Sequence, residues 1–277
     1  MTRAAILQLS SSDLPEENLA TVLAMMADAV AQGAEFVLTP EVTNCVSTSR
    51  THQQSVLSLP DDDATLAALK AAAAEHGIWV LIGSLALKTG DVDGRFANRS
   101  ILVNPTGEIV AQYDKIHMFD VDIDEHESHR ESSGYRPGAR AVVADAPFGP
   151  VGLSVCYDMR FPQLYQALAR AGARVLTAPA AFSPVTGAAH WHSLLRARAI
   201  ETGCFVIAPA QTGTHRSTTG KERSTYGHSL VISPWGEVLL DAGTETGVYM
   251  FDLDLDRVDD ARRRVPSLQN ARSFEGP

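Results

Sequence analysis

The chain has 277 residues, 45% of them apolar, with 33 acidic against 23 basic side chains and a formal net charge of −10. That length suits one large domain, and so acidic a chain is a poor partner for nucleic acid or an anionic membrane surface. No apolar run is long enough to cross a bilayer, and the first residues, MTRAAILQLSSSD, lack the long apolar core of a secretory signal.

Cys45, Cys156 and Cys204 have neither metal-knuckle spacing nor the even count of a disulfide framework. A single domain over 1–277 in a reducing, cytoplasmic setting is expected, without linker, low-complexity block or internal repeat. Ala4 to Leu9 reads as a buried strand, and Pro15 opens an alanine-rich helix ending near Gly33. A second short strand, Glu35 to Thr39, makes a strand–helix–strand unit and favours a sheet with helices packed on it. Pro40-Glu41 follows at once, where α/β proteins often place chemistry; the alternative is a solvated loop glutamate.

Asn44 to Pro60 is polar and irregular and reads as a loop over the site. Asp61 to His76 is a helix, with acidic residues in its first turn and Gly77 after it. Strands are expected over Ile78 to Leu87, Ala97 to Val103 and Glu108 to Tyr113, joined by turns at Lys88 to Arg95 and at Asn104-Pro105-Thr106-Gly107. The sheet is therefore mixed. Lys115 lies just past the last of these strands, either held in a cleft or on the surface.

Val121 to Arg140 has no periodicity, and loops this long are functional or disordered. Asp122, Asp124, His126 and His129 lie in it, but their spacing matches no standard ligand set, and the simpler reading is a solvated acidic loop without metal. Further strands are expected over Arg174 to Ala178, Cys204 to Pro209, Gly227 to Ser233, Glu237 to Leu240 and Gly247 to Leu253, with helices over Gly187 to Glu201 and Asp254 to Arg264. Gln211 to Tyr226 reads as a polar, basic loop, and the tail 266–277 as a segment that wraps another subunit.

The stretch from Val151 to Pro162, VGLSVCYDMRFP, is an apolar strand that stops at a cysteine, with a helix starting at Pro162. A cysteine near the positive end of a helix has a lowered pKa and makes a nucleophile; the polar neighbours Tyr157, Asp158 and Arg160 argue against a buried core thiol. Cys204 lies inside an apolar run and reads as core.

Glu41, Lys115 and Cys156 thus each follow an apolar strand. The set resembles the Glu–Lys–Cys triad of the nitrilase superfamily, the carbon–nitrogen hydrolases. The resemblance covers nearly the whole chain: TPE at the glutamate, YDKIHMFD at the lysine, ES and PG at Glu131-Ser132 and Pro137-Gly138, GLSVCYDMRFP at the cysteine, then AHWHSLLRARAIET, YGHS and PWGEV. CYDMRFP, the AHW helix and RARAIET look most like the branch of deaminated-glutathione amidases and ω-amidases. It implies an α-β-β-α sandwich with mixed sheets, four-layered on dimerisation, no cofactor or metal, a homo-oligomer of two or more copies, and a small-molecule amide substrate. NCVSTSRTHQQ, after Glu41, departs from the usual ω-amidase pattern.

In the chemistry so implied, Glu41 takes the proton of Cys156, which attacks the amide carbon. Glu131, carried over as a fourth catalytic residue, orients Lys115 and raises the Glu41 pKa through its charge. Lys115 and a backbone N–H after Cys156, such as that of Tyr157, hold the oxyanion. Ammonia leaves, and water cleaves the thioester. Arg160 either binds a substrate carboxylate bidentately or pairs with a helix carboxylate. Phe182, Thr186 and Trp191 are candidates to line the pocket, although a helical tryptophan usually packs inward. N-carbamoyl amino acids or aliphatic amides are alternative substrates. A papain-like Cys–His pair using His190, His192 or His228 is the rival mechanism, and a scaffold without turnover the rival class.

Overall fold

The structure is a computed structural model that describes residues 1–123 and 127–276. Its first half contains strands β1 (Thr2–Gln8), β2 (Phe36–Leu38), β3 (Trp79–Lys88), β4 (Phe96–Val103) and β5 (Ile109–Asp114), with helices α1 (Pro15–Ala31), α2 (Arg50–Val56) and α3 (Ala64–His76). A small ribbon, β6 (Asp120–Asp122) with β7 (Ser128–Arg130), leads into the second half. That half holds β8 (Val142–Ala144), β9 (Val151–Leu153), α4 (Pro162–Arg170), β10 (Val175–Thr177), α5 (Pro184–Thr202) and β11 (Phe205–Ala208). A second ribbon follows, β12 (Thr212–His215) with β13 (Arg223–Tyr226), then β14 (Leu230–Ile232), β15 (Val238–Asp241), β16 (Gly247–Leu253), α6 (Asp256–Arg264) and α7 (Ser267–Asn270).

Two six-stranded sheets carry the fold, ordered β16-β1-β2-β3-β4-β5 and β15-β14-β11-β10-β9-β8. Each strand of the first sheet serves two cores. Ala4 and Ile6 of β1 join the apolar cluster shared with the second sheet, while Ala5 and Leu7 pack toward α1 and α3. Side chains alternate across a strand, so a strand covered on both faces reads as one continuous apolar run. Helices α4 and α5 cover the second sheet. The layers are α-β-β-α, as the family resemblance implied, and both sheets are mixed.

Read from β16 and from β8, the two sheets repeat one pattern: an antiparallel pair, two parallel pairs, two antiparallel pairs. No internal repeat was read in the sequence, and this one lies in strand order. The repeat is topological, with a faint echo in Phe36-Val37-Leu38-Thr39-Pro40 and Val175-Leu176-Thr177-Ala178-Pro179, which end equivalent strands. β16 returns to pair with β1 along all of the latter, from Thr2 to Gln8.

Local chemistry accounts for most of the ends. Asp63 caps α3, accepting the Leu66 N–H at 2.8 Å, and Gly77 closes it in the left-handed conformation. α1 begins at Pro15 with Glu16 and Glu17 in its first turn.

Three segments differ from expectation. Asn44 to Pro60 is not an open loop: Asn44 is buried and its amide exchanges two hydrogen bonds of 2.9 Å with the Ala86 backbone, and α2 follows. Its polar side chains stand in for a paired strand. Gln211 to Tyr226 forms the β12–β13 ribbon, whose inward polar residues His215 and Thr225 hydrogen-bond each other at 2.7 Å. In the acidic segment, Asp122 pairs with Arg130 and His129 with Glu127, while Asp124 and His126 lie outside the described residues.

Candidate active site

Glu41 follows β2, Lys115 follows β5 and Cys156 follows β9, so the two sheets deliver these groups to one place at their strand ends. The turn after β2 is held hard against β3. There a register shift between Ile82 and Leu85 makes room, and Ser84 exchanges backbone bonds with Pro40 and Thr43. Gly83 is obligatory at this crossing: a Cβ would lie 1.9 Å from the Thr39 carbonyl oxygen and 2.7 Å from the Pro179 side chain. Val42 and Cys156 sit at φ of +46° and +49°, a region that costs about 1–3 kcal/mol for side-chain-bearing residues and recurs at active sites.

Lys115, 2% exposed, donates to Glu41 Oε1 at 2.9 Å and to both oxygens of Glu131 at 2.9 and 2.8 Å. Glu41, 4% exposed, also accepts the Ala181 N–H at 2.7 Å and the Asn98 amide at 2.8 Å. Glu131 opens the turn Glu131–Ser133 and accepts the Phe119 N–H at 2.6 Å. Cys156, 6% exposed, lies close enough to Glu41 for the carboxylate to act on its thiol. The structure therefore brings all four predicted catalytic side chains together.

Burial would raise the Glu41 carboxyl, but the charges of Lys115 and Arg223 outweigh it and hold the group below the ordinary carboxylate value. Burial would likewise strip the proton from Lys115, yet the carboxylates of Glu131 and Glu41 keep its ammonium well above the usual lysine range. Burial, and then the negative charge of Glu41, push the Cys156 thiol well above its ordinary value. Two expectations are thereby corrected: the thiol is not lowered by a helix end, because burial and the Glu41 charge outweigh it, and Glu41 is not raised by Glu131, because Lys115 stands between them. The resting site is a thiol beside a carboxylate.

The lysine and cysteine turns are tied by one buried residue, Asp158. It accepts the Tyr113 hydroxyl at 2.6 Å, the His117 N–H at 3.0 Å and the Val155 N–H at 2.9 Å, and lies 2.7 Å from His117 Nδ1. Tyr113 and His117 flank Lys115, so YDKIH and CYD are two sides of a single clasp. Gly138 backs it, because a Cβ there would lie 2.1 Å from the Asp114 carbonyl oxygen. Asp158→Asn removes a charge-assisted acceptor of several buried donors, and we expect a loss of about 2–4 kcal/mol in urea unfolding at neutral pH. Wild-type stability would show that the clasp holds nothing.

Of the predicted substrate-binding residues, Arg160 has no carboxylate partner among the described residues, which removes the helix-pair reading. Its guanidinium lies 5.8 Å from the Tyr157 ring centroid and 5.3 Å from that of Phe182, with Nη1 3.2 Å from His190 Nδ1. Phe182 is buried against Trp191, ring centroids 5.0 Å apart. Thr186 Oγ1 and its neighbour Ser183 Oγ are buried without a hydrogen-bond partner among the described residues. His228 turns to Asp241. Sequence reasoning missed Asn98, in mid-strand, and Arg223, whose guanidinium donates to the Ala181 carbonyl behind Glu41. The strand FANRSILV, with three polar residues in a row, and a loop-like GKERS single out neither.

A family model described as carbon-nitrogen hydrolase matches residues 3–263. The chain belongs to the carbon–nitrogen hydrolase family. It is 39% identical over 271 residues to a deaminated glutathione amidase of Synechocystis sp., covering 96% of this chain and 97% of that one. Among solved structures, the C. elegans NitFhit protein matches with a TM-score of 0.89 and 32% identity over 98% of this chain; the chain spans 65% of the NitFhit chain's length. An amidase from Nesterenkonia sp. AN1 carrying acrylamide at its active-site cysteine matches with a TM-score of 0.77 and 25% identity, over 96% of this chain and 98% of that one. As a carbon–nitrogen hydrolase, this chain acts on carbon–nitrogen bonds other than peptide bonds.

Proposed function

We propose that the chain is a cysteine amidase for small amides that carry a 2-oxo acid carboxylate, deaminated glutathione or an ω-amide foremost. The observation that carries this is the buried thiol of Cys156 against the Glu41–Lys115–Glu131 network. Glu41 accepts the thiol proton as Cys156 Sγ bonds to the amide carbon, so no free thiolate is needed. The charge that moves to the carbonyl oxygen is met by Lys115 and the Tyr157 backbone N–H. Glu41 returns the proton to the departing nitrogen, the C–N bond breaks, and ammonia or an amine leaves. Water, deprotonated by Glu41, then cleaves the thioester to the acid and restores the thiol. Glu131 holds Lys115 in place.

Arg160, a cation over two aromatic rings with no acidic partner among the described residues, suits the substrate carboxylate, and the hydroxyls of Thr186 and Ser183, unpartnered among those residues, suit its polar body. Phe182 then forms an apolar wall. The reading includes a homodimer, supported by exposed Val185 and Ile200 on α5 and by Phe274 in the C-terminal tail, 89% exposed. It also includes a cytoplasmic setting, supported by three free cysteines.

The test is product formation from deaminated glutathione, 2-oxo-acid ω-amides, N-carbamoyl amino acids and plain aliphatic amides. We expect the first two to lead; no hydrolysis of either, with turnover of the others, overturns the substrate class. Arg160→Gln should raise KM for the carboxylate-bearing amides about 10–100-fold and leave an uncharged amide within a few-fold. Equal losses on both would remove Arg160 from carboxylate binding.

A further inference from the structure

Beyond the amidase site, α5, the turn before β14 and the end of β15 bring three ligand-type side chains to one point. His192 Nε2 is 3.0 Å from Asp241 Oδ2, and His228 Nδ1 is 2.9 Å from Asp241 Oδ1. The three donor atoms lie within 4.8 Å of one another. We propose that His192, His228 and Asp241 form a binding site for a borderline divalent cation, zinc foremost. Two imidazoles and one carboxylate are a donor set that zinc takes with water in the fourth position. Bonds of about 2.0–2.1 Å in a tetrahedron put ligand atoms about 3.3 Å apart, close to the two His–Asp separations of 3.0 and 2.9 Å.

The cradle is built before any ion enters. His228 sits at φ +54°, its N–H donating to the Gly243 carbonyl at 2.6 Å and its carbonyl accepting the Trp191 indole N–H at 2.8 Å. Asp241 Oδ1 also accepts the Gly243 N–H at 2.9 Å. Outer partners of this kind fix the direction of a ligand. The His192, His228 and Asp241 side chains are 35%, 25% and 35% exposed, which leaves the ion a way in and room for water. In sequence, His192 and His228 lie 49 and 13 positions from Asp241, so no ligand spacing announces them. An ion held there ties α5 to the β14–β15 hairpin. It also sits one residue from Trp191, which packs on Phe182 beside the amidase pocket.

The competing account is a His–Asp–His hydrogen-bonded chain that never takes metal. Calorimetric titration with zinc on the tag-free full chain separates the two, in a Cys156→Ala background that removes the active-site thiol as a ligand. We expect one equivalent per chain with micromolar affinity, weakened about tenfold or more by His192→Asn and by Asp241→Asn. Zinc should also raise the melting temperature of the background protein and not of these two variants. Either of two results overturns the site: no saturable binding below millimolar zinc, or binding that survives both substitutions.

Discussion

Glu41→Gln should lower kcat/KM for an amide about 10³-fold or more while leaving the fold intact. Glutamine keeps the volume and still accepts the Ala181 N–H, but it cannot take a proton, and a positioned base contributes about 10²–10⁴. The variant should retain, and at mildly alkaline pH exceed, the wild-type rate of iodoacetamide labelling at Cys156. The negative charge of Glu41 is one of the forces that keep that thiol protonated, so removing it lets the thiolate form at lower pH. Fast labelling without turnover would separate a missing base from a collapsed site; full turnover would remove Glu41 from the chemistry. The same charges shape the wild-type pH profile. The Glu41 carboxyl is held below its ordinary value and the Cys156 thiol above. The acid limb of kcat/KM therefore lies below about pH 4.3 and the alkaline limb above about pH 8.5, with a flat interval between. A limb with its midpoint at about pH 6–7 would implicate a histidine instead.

Lys115→Met should cost about 3–5 kcal/mol of stability at neutral pH and about 10²–10³ in kcat. Methionine fills the space, so the loss is electrostatic: Glu41 and Glu131 are left buried without the cation that holds both. The sign of the pH dependence should also invert. In the wild type the lowered Glu41 contributes stability above its unfolded pKa, lost as pH falls through the folded value. Without Lys115, burial dominates and the folded carboxyl titrates above the unfolded one. Its contribution is then present in acid and lost as pH rises. Urea unfolding at pH 5 and pH 8 checks this: the variant should be the more stable at pH 5. Near-wild-type stability at pH 8 would mean that the ammonium is dispensable.

Periodicity served well where a strand is apolar on both faces or a helix has a cap. The positions of Glu41, Lys115 and Cys156 could be read because each ends such an element, and Gly247 to Leu253 was read to the residue. Polar residues that work from inside the protein were not legible. Asn44 looked like a loop residue because its task is to imitate a strand, and Asn98 is the first of three consecutive polar residues that nothing in the sequence ranks. Arg223 acts across a tertiary contact that no spacing encodes. Protonation was misread for a related reason. The helix-end rule is local, whereas the Cys156 thiol answers to burial and to a carboxylate from the other sheet. The repeat escaped notice because what recurs is strand direction and order, while only a few residues around Pro40 and Pro179 recur in letters.

The pairing of the last long strand with the first has a consequence for synthesis on the ribosome. β1 leaves the exit tunnel well before β16, which pairs with every one of its positions from Thr2 to Gln8 and is made more than two hundred residues later. Throughout that interval one flank of a strand with the apolar centre Ala4 to Leu7 has no permanent neighbour and is open to adhesion with other nascent chains. The first sheet closes only when β16 arrives, so truncation before Gly247 removes the partner of the whole of β1.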